Sequence, residues 1–154
     1  MVVTALLFAA CSGDGKVEFD DDALVAEMEG YASWDAAGEE GVVRSCEAAH
    51  GRYVQAWANA TAQGGLAGGA WDDGAMLVLE GYQDAQGTFK SLVAMRRVDG
   101  LDPDHGDWYW AWLDEDGLVV QSGSLTGCVG CHEAEGGGQV RTVEACDEVT
   151  RGAP

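Results

Sequence analysis

The chain has 154 residues, with 8 basic and 27 acidic side chains and a formal net charge of −19. Nucleic-acid phosphates are bound by clustered lysines and arginines, so this charge balance excludes a nucleic-acid-binding protein. It also excludes docking on anionic lipid through a basic surface, and it favours a basic protein partner. The length allows one domain with its own core, and no run reaches the roughly 18–20 apolar residues that span a bilayer.

The N-terminal segment is typical of an exported protein. Residues 1–10 form a short apolar run that ends in two alanines, and Cys11 follows. Bacterial lipoprotein signals have this order, and Ser12 is similar to the outer-membrane type. We therefore expect residues 1–10 to be a signal segment, residues 11–21 a lipidated tether on the periplasmic side, and residues 22–154 a single domain. A start codon further upstream, or a buried first strand or helix, is the alternative.

The first half of the domain is predicted to mix helices and strands. Acidic residues at 20–22 favour a helix over residues 22–30. A helix near 42–49 and a strand over 52–59 are predicted next, and the glycines of residues 64–69 indicate a loop.

The second half is predicted to be β-sheet. Strands are expected over residues 74–82, 88–97 and 118–122, and the side chains of Trp108, Trp110 and Trp112 share one face of another strand by the period of two. The same period places Phe89, Ser91, Val93 and Met95 on one face of their strand.

The motif Cys128-Val129-Gly130-Cys131-His132 carries the clearest chemistry in the sequence. Two thiols three positions apart and a histidine directly after them form the attachment pattern of haem c, in which the thiols bind the two vinyl groups and His132 binds the iron. One alternative is a zinc site of Cys128, Cys131, Cys46 and either His50 or Cys146. Another is a thioredoxin-like redox pair.

The remaining cysteines, Cys46 and Cys146, are predicted to form a disulfide, because an oxidising compartment permits it. Such a bridge closes a long loop and contributes up to about 4–5 kcal/mol in the chain-entropy account. Two free buried cysteines are the alternative.

Several segments taken in order resemble the cytochrome P-460 family, which includes the β-sheet cytochromes c′. The matching pieces are His50-Gly51 before a strand, Asp73-Gly74 before the next, the segment Gly100–Trp110 with its Gly-Asp-Trp-x-Trp pattern, and the terminal haem motif. The resemblance implies an α+β fold that is mainly antiparallel sheet, one covalent haem c, a five-coordinate iron with an apolar distal side, and often a homodimer.

The resemblance also bears on enzymatic activity. Cytochromes P-460 proper oxidise hydroxylamine and carry a lysine cross-link to the haem. Leu79 stands where relatives often have lysine, which argues against hydroxylamine oxidation. The chain has two lysines, and Lys16 lies in the predicted tether, so Lys90 is the remaining candidate for a cross-link.

The available second axial ligands are Met76, Met95, His50 and His105. The methionines fit the core faces of their strands, His105 fits a solvated turn, and His50 fits a local hydrogen-bonding role. We expect the sixth position of the iron to be open or filled by water. Arg96 and Arg97 are candidate partners of the haem propionates.

The leading hypothesis is therefore a periplasmic mono-haem cytochrome that binds a small ligand such as nitric oxide or transfers electrons. A hydroxylamine-oxidising enzyme and a non-haem binding domain held by zinc or a disulfide are the alternatives, so enzymatic activity is left open.

Overall fold

The computed structural model describes residues 17–45 and 49–133, with Lys90 described by its backbone alone. The helices are α1 (Asp21–Met28), α2 (Ala60–Leu66) and α3 (Thr126–Glu133), with short 3-10 turns at Tyr31–Ser33 and Pro103–His105. The strands are β1 (Asp35–Ala36), β2 (Val43–Arg44), β3 (Tyr53–Ala58), β4 (Met76–Tyr82), β5 (Phe89–Arg97), β6 (Trp108–Leu113) and β7 (Val119–Gly123).

These strands form one antiparallel sheet in the order β1-β3-β4-β5-β6-β7, with β2 also paired to β3. From β3 to β7 each strand pairs with the next one in the chain, as expected of strands joined by short connections. The predicted α+β fold, mainly antiparallel sheet with a few helices, is confirmed.

The sheet buries both of its faces because each central strand carries apolar residues at odd and at even positions. Helix α1 covers one face with Leu24 and Met28. We call the other one the tryptophan face, since Trp108 and Trp110 lie there; helices α2 and α3 pack on it through Ala62 and Val129. The sheet residues of the tryptophan-face core are Ala56, Ala58, Leu77, Met95, Trp108 and Trp110.

The ends of α1 and α2 follow from capping side chains. Asp20 Oδ1 accepts a hydrogen bond from Ala23 N at 2.8 Å, which confirms the predicted helix with bounds shifted by one to two residues. Asn59 Oδ1 caps α2 by accepting from Ala62 N at 2.9 Å, and its Nδ2 donates to Gly74 O at 2.9 Å. This cap ties the start of α2 to the strand that follows it.

Two predicted elements are wrong. Residues 43–44 form strand β2 against Tyr53 and Val54 instead of a helix near 42–49, because the pairing with β3 satisfies the backbone here and Val43 is β-branched. The glycines at 64 and 65 belong to helix α2 instead of a loop, because the Asn59 cap and the packing of α2 on the sheet outweigh their low helix propensity.

A bulge corrects the predicted faces of β5. Tyr82 pairs with Phe89 while Gly81 pairs with Ser91, so strand β5 has one residue more than β4 at this point, namely Lys90. Phe89 therefore packs against the core on the α1 side, instead of sharing a face with Val93 and Met95.

Within the described residues no helix has the length and apolar character needed to cross a membrane.

Candidate functional site

The motif Cys128–His132 lies on helix α3, directly after strand β7. Its first turn is fixed by backbone hydrogen bonds, with Leu125 N donating to Gly123 O and Val129 N donating to Leu125 O, both at 2.9 Å. No helix was predicted for this part of the sequence. The anchor that sequence reasoning missed is Val129, which is buried in the tryptophan-face core and orients the helix.

Both thiols of the motif are free, and their spacing of three positions places them on neighbouring turns of α3. Cys128 is half-buried and packs against the tryptophan-face core, while Cys131 is exposed. Burial, assisted by the neighbouring Cys131, raises the pKa of the Cys128 thiol. The helix thus presents one sheltered thiol and one accessible thiol.

The imidazole of His132 packs against Trp110 of strand β6. Its ring centroid is 4.6 Å from that of Trp110, at an interplanar angle of 63°. This edge-on contact with a buried indole restricts the orientation of the imidazole.

His50 lies close to the same place although it is far from His132 in the chain. The two imidazole centroids are 6.4 Å apart, and the His50 ring is 6.2 Å from Trp112. Sequence reasoning assigned His50 a local hydrogen-bonding role, because nothing in a lone His-Gly pair reveals which strand it will face.

The tryptophan face forms an aromatic wall beside the motif. Trp71 packs edge-on against Trp108 with centroids 5.5 Å apart, and Leu79 is partly buried against the same core. Trp110 is 2% exposed, and within residues 17–45 and 49–133 no group accepts a hydrogen bond from its Nε1.

A covalently held haem fits this site. The site offers two thiols, an adjacent imidazole and an aromatic wall in which the buried Trp110 Nε1 has no acceptor among the described residues. Cys128, Cys131 and His132 would hold the group, and the tryptophan face would form its apolar surroundings. Among the described residues, no group of three or more histidines, cysteines or acids is placed to hold a metal ion.

The other candidate axial ligands are engaged in packing or hydrogen-bonding contacts of their own. Met76 is in the core on the opposite face of the sheet, and Met95 is packed within the tryptophan-face core. His105 Nδ1 is 2.7 Å from Glu133 Oε1 at the end of α3. The hydrogen bond to Glu133, more than the surrounding acids, raises the pKa of His105.

Arg96 and Arg97, the predicted propionate partners, already bind carboxylates of this chain. Arg96 pairs with Glu27 and Asp73, each at 3.0 Å. Arg97 pairs with Asp99 at 2.6 Å and donates to the backbone oxygen of Trp71 at 2.6 Å. The structure therefore gives both arginines a role in fixing loops around the sheet.

Four predicted site residues cannot be placed in this geometry. Cys11, the predicted lipidation site, and Cys46 and Cys146, the predicted disulfide, lie outside the described residues. Lys90 lies in strand β5 at the bulge.

Comparison with known proteins agrees with this arrangement. Among curated proteins none matches the chain. The sequence profile of the family described as Cytochrome P460 matches residues 28–139, a segment that includes all seven strands named above and the motif on α3. The chain therefore belongs to the cytochrome P460 family of haem-binding cytochromes.

Proposed function

We propose that the protein is a mono-haem c-type cytochrome that transfers single electrons or binds a small ligand at its iron. The observation that carries this proposal is the position of both free thiols and His132 on a helix packed against the tryptophan face. Bound haem supplies one-electron redox chemistry and an iron that small ligands can reach.

The chain's own residues have distinct tasks in this proposal. Cys128 and Cys131 would hold the group through thioether bonds, and His132 would bind the iron. Trp110 restricts the rotation of the His132 ring, and the apolar core beneath it excludes water from the proximal side. A fixed ligand and a dry wall keep the surroundings of the iron constant during electron transfer.

Expression in the periplasm together with a haem-maturation system tests the attachment. The intact mass should increase by one haem that stays bound after denaturation. Cys128→Ser and Cys131→Ser should each remove one thioether bond, and the double variant should lose covalent haem. Cys46→Ser is the matched control and should keep it. A colourless wild-type protein would overturn the proposal and favour the zinc or disulfide alternative.

The hydroxylamine-oxidising alternative requires a lysine cross-link to the haem. Leu79 lies against the tryptophan-face core and has no amine, so the wild-type spectrum should be that of an unmodified haem c. A red-shifted spectrum that becomes ordinary in Lys90→Arg would instead support the enzyme.

The location and partners complete the proposal. The apolar segment before Cys11 supports export and lipid anchoring on the periplasmic side, and the net charge of −19 supports a basic redox partner.

A homodimer is part of the proposal, because strand β7 is at the edge of the described sheet and exposes Val120, with Leu118 just before it. Labelling with a radioactive fatty acid should mark the wild type and leave Cys11→Ala unmarked, and sedimentation should give twice the monomer mass.

A further inference from the structure

We infer that His50 is the second axial ligand of the haem iron, so that the iron is held between His50 and His132. This inference rests on the proposed function, because it requires the haem that Cys128 and Cys131 hold. It replaces the open sixth position expected from the sequence.

The separation of the two imidazoles is the first argument. A histidine nitrogen binds a metal ion at about 2 Å, and the ring centroid lies about 1 Å further, so two imidazoles on opposite sides of one ion have centroids about 6 Å apart. The observed separation of His50 and His132 is 6.4 Å. A direct hydrogen bond of about 3 Å between ring nitrogens would bring the centroids to about 5 Å. The interplanar angle of 54° is compatible with ligation, since each ring can rotate about its bond to the metal.

The tryptophans of β6 support the same arrangement. Trp110 contacts His132 and Trp112 lies beside His50, so the two imidazoles follow the two indoles along one strand. Side chains two positions apart on a strand are separated by about 7 Å. A flat ring in van der Waals contact on both faces needs about this spacing between its neighbours.

Close contacts fix the backbone of His50, as the position of an iron ligand requires. The hydroxyl of Ser91, which is 1% exposed, donates to His50 O at 2.6 Å. The same carbonyl lies over Gly81, where an added Cβ would be 1.7 Å from His50 O. Gly51 has φ 156°, and a Cβ there would lie 2.8 Å from Tyr82 N. These tight contacts hold residues 50–51 against strands β4 and β5 before any cofactor binds.

His50 is also the imidazole best placed for this role. The sequence has three histidines, and His105 is bound to Glu133 on the exposed side of α3. The consequence is functional: with two imidazoles on the iron the protein would transfer electrons, and a gas would have to displace His50.

The test compares His50→Gln with His105→Gln, two identical replacements of which one is at the proposed ligand. Wild-type protein and His105→Gln should give low-spin six-coordinate ferric spectra by optical absorption and electron paramagnetic resonance. His50→Gln should become high-spin and bind carbon monoxide in the ferrous state about 10- to 100-fold more tightly, because the competing internal ligand is gone.

A second variant separates ligation from folding. His50→Gly should be high-spin, and added imidazole should restore the low-spin spectrum while far-ultraviolet circular dichroism stays unchanged. A wild-type protein with attached haem in a high-spin state, or a low-spin spectrum that persists in His50→Gln, would overturn the assignment of His50 and leave the proposed function intact. A wild type without covalent haem would overturn both proposals.

Discussion

The adjacent glycines of helix α2 provide a matched test of how the tryptophan face is packed. An added Cβ at Gly64 meets no atom within 4 Å, while one at Gly65 would lie 2.3 Å from Cδ2 and Cε3 of Trp71. The indole cannot easily move away, because Arg97 holds the Trp71 backbone oxygen and the ring packs on Trp108. The two glycines therefore differ in their surroundings although they share one helix.

The expected changes follow from two opposing contributions. Replacing a helical glycine by alanine stabilises by about 1 kcal/mol, and overpacking a core costs about 1–3 kcal/mol. Gly64→Ala should therefore raise the free energy of unfolding by about 1 kcal/mol, and Gly65→Ala should lower it by up to about 2 kcal/mol. The two variants should thus differ by about 1–3 kcal/mol, or roughly 4–12 °C in melting temperature.

Urea unfolding of the haem-loaded protein, followed by tryptophan fluorescence and circular dichroism, measures both variants under the same conditions. Equal stabilisation by the two substitutions would refute the packing of Trp71 on Gly65.

Three further predictions concern contacts outside that pair. Asn59→Ala should lower the free energy of unfolding by about 2 kcal/mol in urea, because the helix cap and the hydrogen bonds of Asn59 with Met76 N and Gly74 O are all lost. A change within error would contradict the cap. Burial and the hydrogen bond to Glu80 raise the pKa of Tyr82 far above 10, so its stabilising contribution is complete below pH 10 and lost as the pH rises toward the folded pKa. Tyr82→Phe should remove one late step from the alkaline tyrosinate titration, and an unchanged late step would argue against this contact. Glu133→Gln should lower the pKa of His105 toward 6.5, as measured by nuclear magnetic resonance, because the charged partner that raises this pKa is removed. In the wild type the pair is stabilising below pH 6.5, and this contribution is lost as the pH rises through the folded pKa of His105. An unshifted titration would exclude the pair in solution.

Much of the fold could be predicted because strand patterns are local. The apolar segments of β4, β5 and β6, and the acidic start of α1, each report on a few neighbouring residues. The two-residue strand β2 could not be recognised in this way, because it exists only through its pairing with β3. The bulge at Lys90 likewise depends on the register between β4 and β5, which no single strand contains.

The sequence by itself predicted the cofactor chemistry, since two thiols and an imidazole at fixed spacing form a local motif, and it determined the acidic character of the chain. Only the tertiary structure decided what surrounds that motif. Val129 anchors α3 on the tryptophan face, and Ser91 and Gly81 bring His50 to within 6.4 Å of His132 between ring centroids. The physical reason is that the position of His50 depends on backbone contacts with strands that are distant in the chain, and such contacts leave no periodic signal around the histidine itself.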